Sequence, residues 1–280
     1  MGRRMAANCA RAGHDLTLWN RSRGPAEALA AEVGATVAGT PAALAACADV
    51  VVTMLANDEA ARSVYLGANG LIDAAGASIL VEMGTMSPAL IGELAKAAEA
   101  NGKIFIDAPV SGATAAAEAA QLLIMAGAPD SMSDRLAPLF DAMGKATVWL
   151  GRPGAGAAMK LAVNLLIHGL NQTLAEALTL AERAGIDPAR AFDVIENSAA
   201  AAPMLSYRRP LYLDEAAHDV TFTVALAAKD VSLALDLARA SGLAMPQTET
   251  TLGVLDAALK AGFGARDMAA IVTYMREQAE

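Results

Sequence analysis

The sequence predicts a Rossmann-type α/β domain with a doubly wound sheet, followed by an all-α helical domain. Three observations predict it. Up to about residue 150, short runs rich in Val, Ile and Leu alternate with helix-like segments, the signature of a mostly parallel sheet. The run DVVVTML at 49–55 is apolar at consecutive positions, as a strand covered on both faces requires. Beyond GRPGAGAAMK no strand pattern returns, and a long uninterrupted helix opens the remainder. The expected domains are 1–150, binding a dinucleotide, and 151–280, carrying substrate-side and subunit contacts.

The elements follow in order. A helix at about 2–12 leads to a strand at 14–20, HDLTLWN. A helix after Pro25, a short segment around ATVAG and a helix after Pro41 lead to the strand at 49–55. A helix at 58–66 precedes the strand SILVEMG at 78–84. The next helix has a start signal at Ser87-Pro88 and a stop at Gly102. KIFIDAPV and QLLIMAG read as strands, followed by a helix after Pro129 and the strand ATVWLG. From 157 to 184 only Gly169 interrupts a helix of about 27 residues, about 40 Å long. A helix of that length suggests packing against a second subunit, hence a homodimer or homotetramer; the alternative is a long core helix within its own domain. Helices follow after Pro188 and around 223–241, 246–261 and 266–278.

Composition narrows the classes. The net charge is −9 with no basic block, which argues against nucleic acid as a partner. No apolar stretch reaches the roughly 20 residues of a membrane span, and the first 15 residues lack the apolar core of a secretory signal. The chain therefore reads as soluble and cytoplasmic. Cys9 and Cys47 read as small buried thiols, and no His, Cys or Asp grouping has metal-ligand spacing.

Four stretches carry chemistry. After the second strand of a dinucleotide-binding unit, an acid selects NAD and basic residues accept the 2′-phosphate of NADP. Here Asn20-Arg21-Ser22-Arg23 stands there without an acid, which points to NADP(H), with NAD(H) as the lesser possibility. DAPVSGA at 107–113 enters a loop in which Ser111 and Gly112 offer a hydroxyl and unhindered amides, either a carboxylate cradle or a plain strand-to-loop turn. In GAGAAMKLAVN, Lys160 and Asn164 are four apart and share one helix face. In a cleft between domains, Lys160 would protonate a carbonyl oxygen as hydride reaches its carbon. The alternative for Lys160 is an ordinary surface lysine. Lys229 interrupts an apolar face at 222–238, either for a substrate carboxylate or cofactor, or to pair with Asp230 or Asp236. His168 lies two turns beyond Lys160, as a packed histidine or a support for it.

Together these stretches resemble the β-hydroxyacid dehydrogenase family. VVVTMLAND is similar to the family's loop over the cofactor, which implies contacts from Met54 and Leu55. EMGTMSP resembles its segment with a cofactor-contacting threonine, here Thr85. DAPVSGA resembles the substrate-carboxylate motif with Ser111 and Gly112; GAGAAMKLAVN resembles the catalytic motif, with Lys160 as general acid/base and Asn164 as its substrate-side partner. KDVSLALDLA resembles the motif that places Lys229 near cofactor and substrate. The resemblance implies an NADP(H)-dependent oxidoreductase interconverting a small 3-hydroxyacid and its semialdehyde or keto acid. Two departures stand out. Ala113 replaces a glycine, which would narrow the pocket or force a different φ. MGRRMAANCARAGHDLTLWNR resembles the end of the G-x-G-x-M-G turn onward, with Gly2 as its last glycine. The first strand and two turn glycines, about ten residues, are then expected to lie before Met1. That departure keeps open a non-catalytic or impaired dehydrogenase-fold protein; an imine-reductase-like relative is the other alternative.

Overall fold

The computed structural model describes residues 1–278; residues 279 and 280 of the expected second domain lie outside the described residues. Packing divides the chain into two units, Met1–Lys160 and Leu161–Glu280. The first runs α1 (Gly2–Arg11), β1 (Thr17–Leu18), α2 (Arg23–Val33), β2 (Thr36–Val37), α3 (Pro41–Ala45), β3 (Val50–Thr53), α4 (Asp58–Leu66), β4 (Ile79–Glu82), α5 (Pro88–Ala100), β5 (Ile104–Asp107), β6 (Val110–Ser111), α6 (Thr114–Glu118), β7 (Leu122–Ala126), α7 (Ser133–Asp141) and β8 (Gly144–Trp149). The helix α8 (Ala155–Arg183) starts in this unit and continues in the second, followed by α9 (Pro188–Glu196), α10 (Pro203–Leu213), α11 (Val224–Ala240), α12 (Pro246–Lys260) and α13 (Ile271–Gln278). This is a Rossmann-type α/β arrangement followed by helices.

The pairings are parallel for β1–β2, for β3–β4–β5 and for β7–β8. Only β6–β7 is antiparallel among the described strands. Alternation along the central strands explains the two-sided cover. Ile79 and Val81 of β4 enter a cluster with Met5 and Cys9 of α1, whereas Leu80 enters another with Tyr65 of α4 and Leu90, Ile91 and Leu94 of α5. All four residues of β4 are buried.

Helix starts follow local chemistry. Thr40, Asn57 and Ser87 each accept the backbone N–H three residues on, and Pro41 and Pro88 stand at the first helical positions. In the second unit Asp187 before Pro188 and Thr223 before α11 do the same. That unit packs Leu174, Leu178, Phe192, Tyr212, Val231, Leu255 and Ile271 into one core. Its 214–223 segment is held by the buried Arg208–Asp267 ion pair, whose carboxylate also accepts the Thr221 and Phe222 amides.

Several expectations shift. The strand at 14–20 shrinks to Thr17–Leu18, because its partner β2 offers only two residues. The loop expected after DAPV instead forms β6 and the short α6. The helix α10 lies in a stretch assigned to no element, where Pro203 occupies the first turn and Pro210 the interior. Cys9 is buried as expected, but Cys47 is exposed: it follows the five-residue α3, and its thiol donates to the Leu44 carbonyl at 3.2 Å.

Candidate active site

The amino end of α1 has no side-chain cap and no acid in its first turn; Arg3 and Arg4 stand there, paired with Glu32 at 2.5 Å and Glu118 at 3.6 Å. The Met1 carbonyl takes the Arg4 amide at 2.9 Å, and the positive end of the helix dipole suits an anion such as a pyrophosphate. A Cβ on Gly2 would lie 3.4 Å from Met54 Cβ, so this end of α1 sits against the turn that follows β3. The structure thus brings together Gly2 and Met54, two of the expected cofactor residues. This donor set fits a nicotinamide dinucleotide.

Asn20, Arg21, Ser22 and Arg23 form the exposed turn between β1 and α2. Asn20 Nδ2 donates to the Ser22 carbonyl at 2.8 Å, which tightens the turn. Arg23 is engaged by Glu27 one helical turn on, at 2.6 Å. Arg21 carries no ion pair among the described residues, leaving it as the cation of this turn.

A row of polar side chains closes the carboxyl ends of the central strands. Thr53, Glu82 and Asp107 are in register on β3, β4 and β5, so they face one side of the sheet. All three are buried. Glu82 Oε1 accepts the Gly84 amide at 2.6 Å, and the carboxylate also accepts the Leu55 amide and the Thr53 and Tyr65 hydroxyls. Burial pushes its carboxyl up to about 7, against the pull of those donors. Met54, Leu55 and Thr85 stand on the two turns that this row joins, each half-buried.

Asp107 performs the same service for α8. Its Oδ1 accepts the Gly154 amide at 2.8 Å and its Oδ2 the Ala157 amide at 2.7 Å. Gly154 has no side chain with which to cap the helix, so a carboxylate from β5 does it. Burial raises the Asp107 carboxyl to about 6. The neighbourhood has been kept clear for it: a Cβ on Gly127 would lie 2.1 Å from Asp107 Oδ1, and one on Gly156 2.4 Å from the Met125 carbonyl oxygen.

Asp107 also opens the carboxylate motif. Ser111 pairs with Leu123 across β6–β7 and is half-buried. Gly112 is exposed with φ +137°, and a Cβ there would meet Ala116 Cβ and Leu122 Cδ2 at 2.9 Å. Glycine is therefore required at 112. Ala113 has φ −75° in extended backbone, so the substitution at this position forces no unusual conformation.

Lys160, half-buried, lies in the second turn of α8, and Asn164 is buried one turn further. Within the second unit Asn164 Nδ2 donates to Asp230 Oδ2 at 2.5 Å. With its nitrogen on that carboxylate, Asn164 keeps Oδ1 as its acceptor. Asp230, 1% exposed, also pairs with Lys229, whose Nζ lies 3.1 Å away. The alternative foreseen for Lys229 is thus realised, while its side chain stays 25% exposed. His168 is buried and stacks on Phe222, with ring centroids 5.7 Å apart.

Sequence reasoning missed Glu82 and Asp107, and used Asp230 only as a foil for Lys229. A usable signal was present: β3, β4 and β5 read VVVT, ILVE and IFID, three apolar residues and then a polar one at the strand end. No group of His, Cys, Asp and Glu suited to a metal ion occurs among the described residues, and no described helix is long and apolar enough to cross a membrane.

Residues 1–151 match the family model described as the NAD binding domain of 6-phosphogluconate dehydrogenase. Residues 154–275 match that described as NAD-binding of NADP-dependent 3-hydroxyisobutyrate dehydrogenase. The chain is 31% identical over 277 residues to glyoxylate/succinic semialdehyde reductase 2, chloroplastic, of Arabidopsis thaliana, covering 99% of this chain and 77% of the relative. It is 31% identical over 280 residues to the 3-sulfolactaldehyde reductase of Escherichia coli, covering 100% of this chain and 94% of the relative. The crystal structure of 3-hydroxyisobutyrate dehydrogenase from Salmonella typhimurium is similar at a TM-score of 0.88 and 28% identity, over 98% of this chain and 95% of that one. The chain belongs to the β-hydroxyacid dehydrogenase family, NAD(P)-dependent oxidoreductases of small hydroxyacids and semialdehydes.

Proposed function

We propose that this protein is an NADPH-preferring reductase of a small carboxylate-bearing aldehyde or keto acid, reversibly a 3-hydroxyacid dehydrogenase, with Lys160 as its general acid/base. The single observation that carries the proposal is on α8. Lys160 and Asn164 stand one turn apart on a helix whose start is pinned by Asp107, the first residue of the carboxylate motif. Such pinning fixes the rotation of the helix and hence where the lysine stem begins.

When bound, the dinucleotide supplies hydride to the carbonyl carbon. Lys160 Nζ gives its proton to the carbonyl oxygen in reduction and takes it back in oxidation. Asn164, its nitrogen committed to Asp230, offers Oδ1 to orient the lysine or the substrate hydroxyl. Ser111 and the Gly112 amide hold the substrate carboxylate. Lys229, paired with Asp230 and 25% exposed, adds positive charge beside the substrate. Gly2, Met54, Leu55 and Thr85 contact the cofactor, and Asn20, Arg21 and Ser22 receive its 2′-phosphate. In this reading residues 1–150 bind the dinucleotide, and the helices of 151–280 bring substrate-side groups. Self-association is part of it, because Leu166 and Leu180 of α8 are 75% and 72% exposed and lie close to one stripe.

The test is NADPH oxidation with glyoxylate, succinic semialdehyde, methylmalonate semialdehyde and tartronate semialdehyde. Lys160→Ala should lower kcat by about 10²–10⁴-fold, the usual worth of a general acid, and leave NADPH affinity unchanged. An undiminished kcat in that variant removes Lys160 from the role.

A further inference from the structure

Two turns carry the expected cofactor contacts: 54–57 after β3, with Met54 and Leu55, and 83–87 after β4, with Thr85. Neither is held by regular secondary structure, yet both are tied to one buried carboxylate. Glu82 accepts the Gly84 amide at 2.6 Å from its own turn, and the Leu55 amide from the neighbouring one. Thr53 donates its hydroxyl to Glu82 Oε2, and the Tyr65 hydroxyl lies 2.6 Å from Thr53 Oγ1.

The backbones also touch. A Cβ on Gly84 would lie 2.5 Å from the Leu55 carbonyl oxygen and 2.7 Å from Glu82 Oε1. Nearer the surface the same two turns are joined again, by the Ser87 amide to Asp58 Oδ1 at 3.0 Å and the Ser87 hydroxyl to Asp58 Oδ2. The inner clamp differs from the outer in being sealed: Glu82 is 0% exposed, so no water replaces its bonds.

We propose that Glu82 is a positioning residue for the dinucleotide: its carboxylate locks the turn carrying Met54 and Leu55 to the turn carrying Thr85, so that their cofactor-binding surface exists before the cofactor arrives. The inference rests on the reading that Met54, Leu55 and Thr85 contact the cofactor. It adds a residue that touches neither cofactor nor substrate. A binding surface present only part of the time weakens apparent affinity by that fraction.

The experiment measures NADPH dissociation constants by fluorescence titration, kcat at saturating NADPH, and thermal melting, for Glu82→Leu, Glu82→Gln and Thr85→Ala. Leucine leaves the Gly84 and Leu55 amides without an acceptor. Glutamine keeps one acceptor oxygen, and the Thr53 and Tyr65 hydroxyls can rotate to accept from its nitrogen. Glu82→Leu should weaken NADPH binding by about tenfold or more, as when the competent arrangement falls to about a tenth of the population, with kcat at saturation held within about twofold. Glu82→Gln should restore affinity to within about threefold of the wild type. A general loss of structure would instead lower kcat and melting temperature without that rescue. If Glu82→Leu does not fold, Gly84→Ala carries the test, since its methyl group presses on both the Leu55 carbonyl oxygen and Glu82 Oε1 and so loosens the clamp with the glutamate still present; it too should weaken NADPH binding. Unchanged affinity in a folded Glu82→Leu, or in Gly84→Ala, together with weaker binding in Thr85→Ala overturns the positioning role alone. Unchanged affinity in every variant overturns the cofactor-contact reading beneath it, and the positioning role with it.

Discussion

Replacing Asp107 by Ala tests whether the helix that carries Lys160 is held by a carboxylate from the sheet. Asp107 accepts the Gly154 and Ala157 amides at 2.8 and 2.7 Å, and no side chain at Gly154 can take over. Ala157 is buried, so its N–H would lose its only acceptor and cost about 1–3 kcal/mol. Gly154 is half-exposed, and water covers part of that loss, leaving about 1 kcal/mol for the missing cap. The sum is about 3 kcal/mol, or a fall in melting temperature of about 6–12 °C for a chain of this size. The pH dependence has a definite sign. Burial raises the Asp107 carboxyl from 3.8 to about 6, so between those values the folded state binds the proton more tightly than the unfolded one. Stability from this group is therefore full below pH 4 and declines as pH rises to 6, at about 1.4 kcal/mol per pH unit. The variant lacks that decline. Its deficit should be about 1 kcal/mol larger at pH 5 than at pH 8, because Glu82 and every other group are common to both proteins. Melting followed by circular dichroism at the two pH values measures this, and steady-state kinetics at pH 8 should show kcat falling more than NADPH affinity, since α8 carries Lys160. An unchanged melting temperature at pH 8, or a deficit that grows from pH 5 to pH 8, refutes the capping account.

Arg21→Ala should weaken NADPH binding by about tenfold or more, the worth of one charge-assisted bond to phosphate, and leave NADH binding unchanged. Equal losses for both cofactors would dissociate Arg21 from the 2′-phosphate. Leu166→Glu combined with Leu180→Glu places two charges about 21 Å apart on one stripe of α8. Sedimentation should then show a smaller species than the wild type, and an unaltered mass would clear this stripe of any part in self-association.

Much of the fold was legible because it rests on short-range rules. Asn57, Ser87 and Thr223 cap helices at positions read from the sequence or within a residue of them. The breaks at Gly102 and Gly185 coincide with φ values of +69° and +81°. The failures have the opposite character. The pairing of β6 with β7 depends on residues twelve or more apart, and two residues carry too little periodicity to announce a strand. Inside α10, Pro210 looks like a breaker; the helix continues through it and ends three residues later.

The candidate site divides in the same way. Lys160, Asn164, Ser111 and Gly112 were legible because each belongs to a short motif whose members are neighbours along the chain. Glu82 and Asp107 were not, because their partners come from other strands and helices: Leu55 for one, Gly154 and Ala157 for the other. Their positions nevertheless follow a rule. In open α/β sheets ligands bind beyond the carboxyl ends of the strands, where the backbone leaves the sheet and its amides lose their ladder partners. A buried acid as the last residue of a strand meets those amides from below. Glu82 and Asp107 occupy that position on neighbouring strands, and Thr53 beside them on β3 donates its hydroxyl to Glu82. The ligand-facing groups can then vary above a row that fixes the turns and the helix carrying them, which is why that row bears acids at a cost in stability and the apolar core beneath it does not.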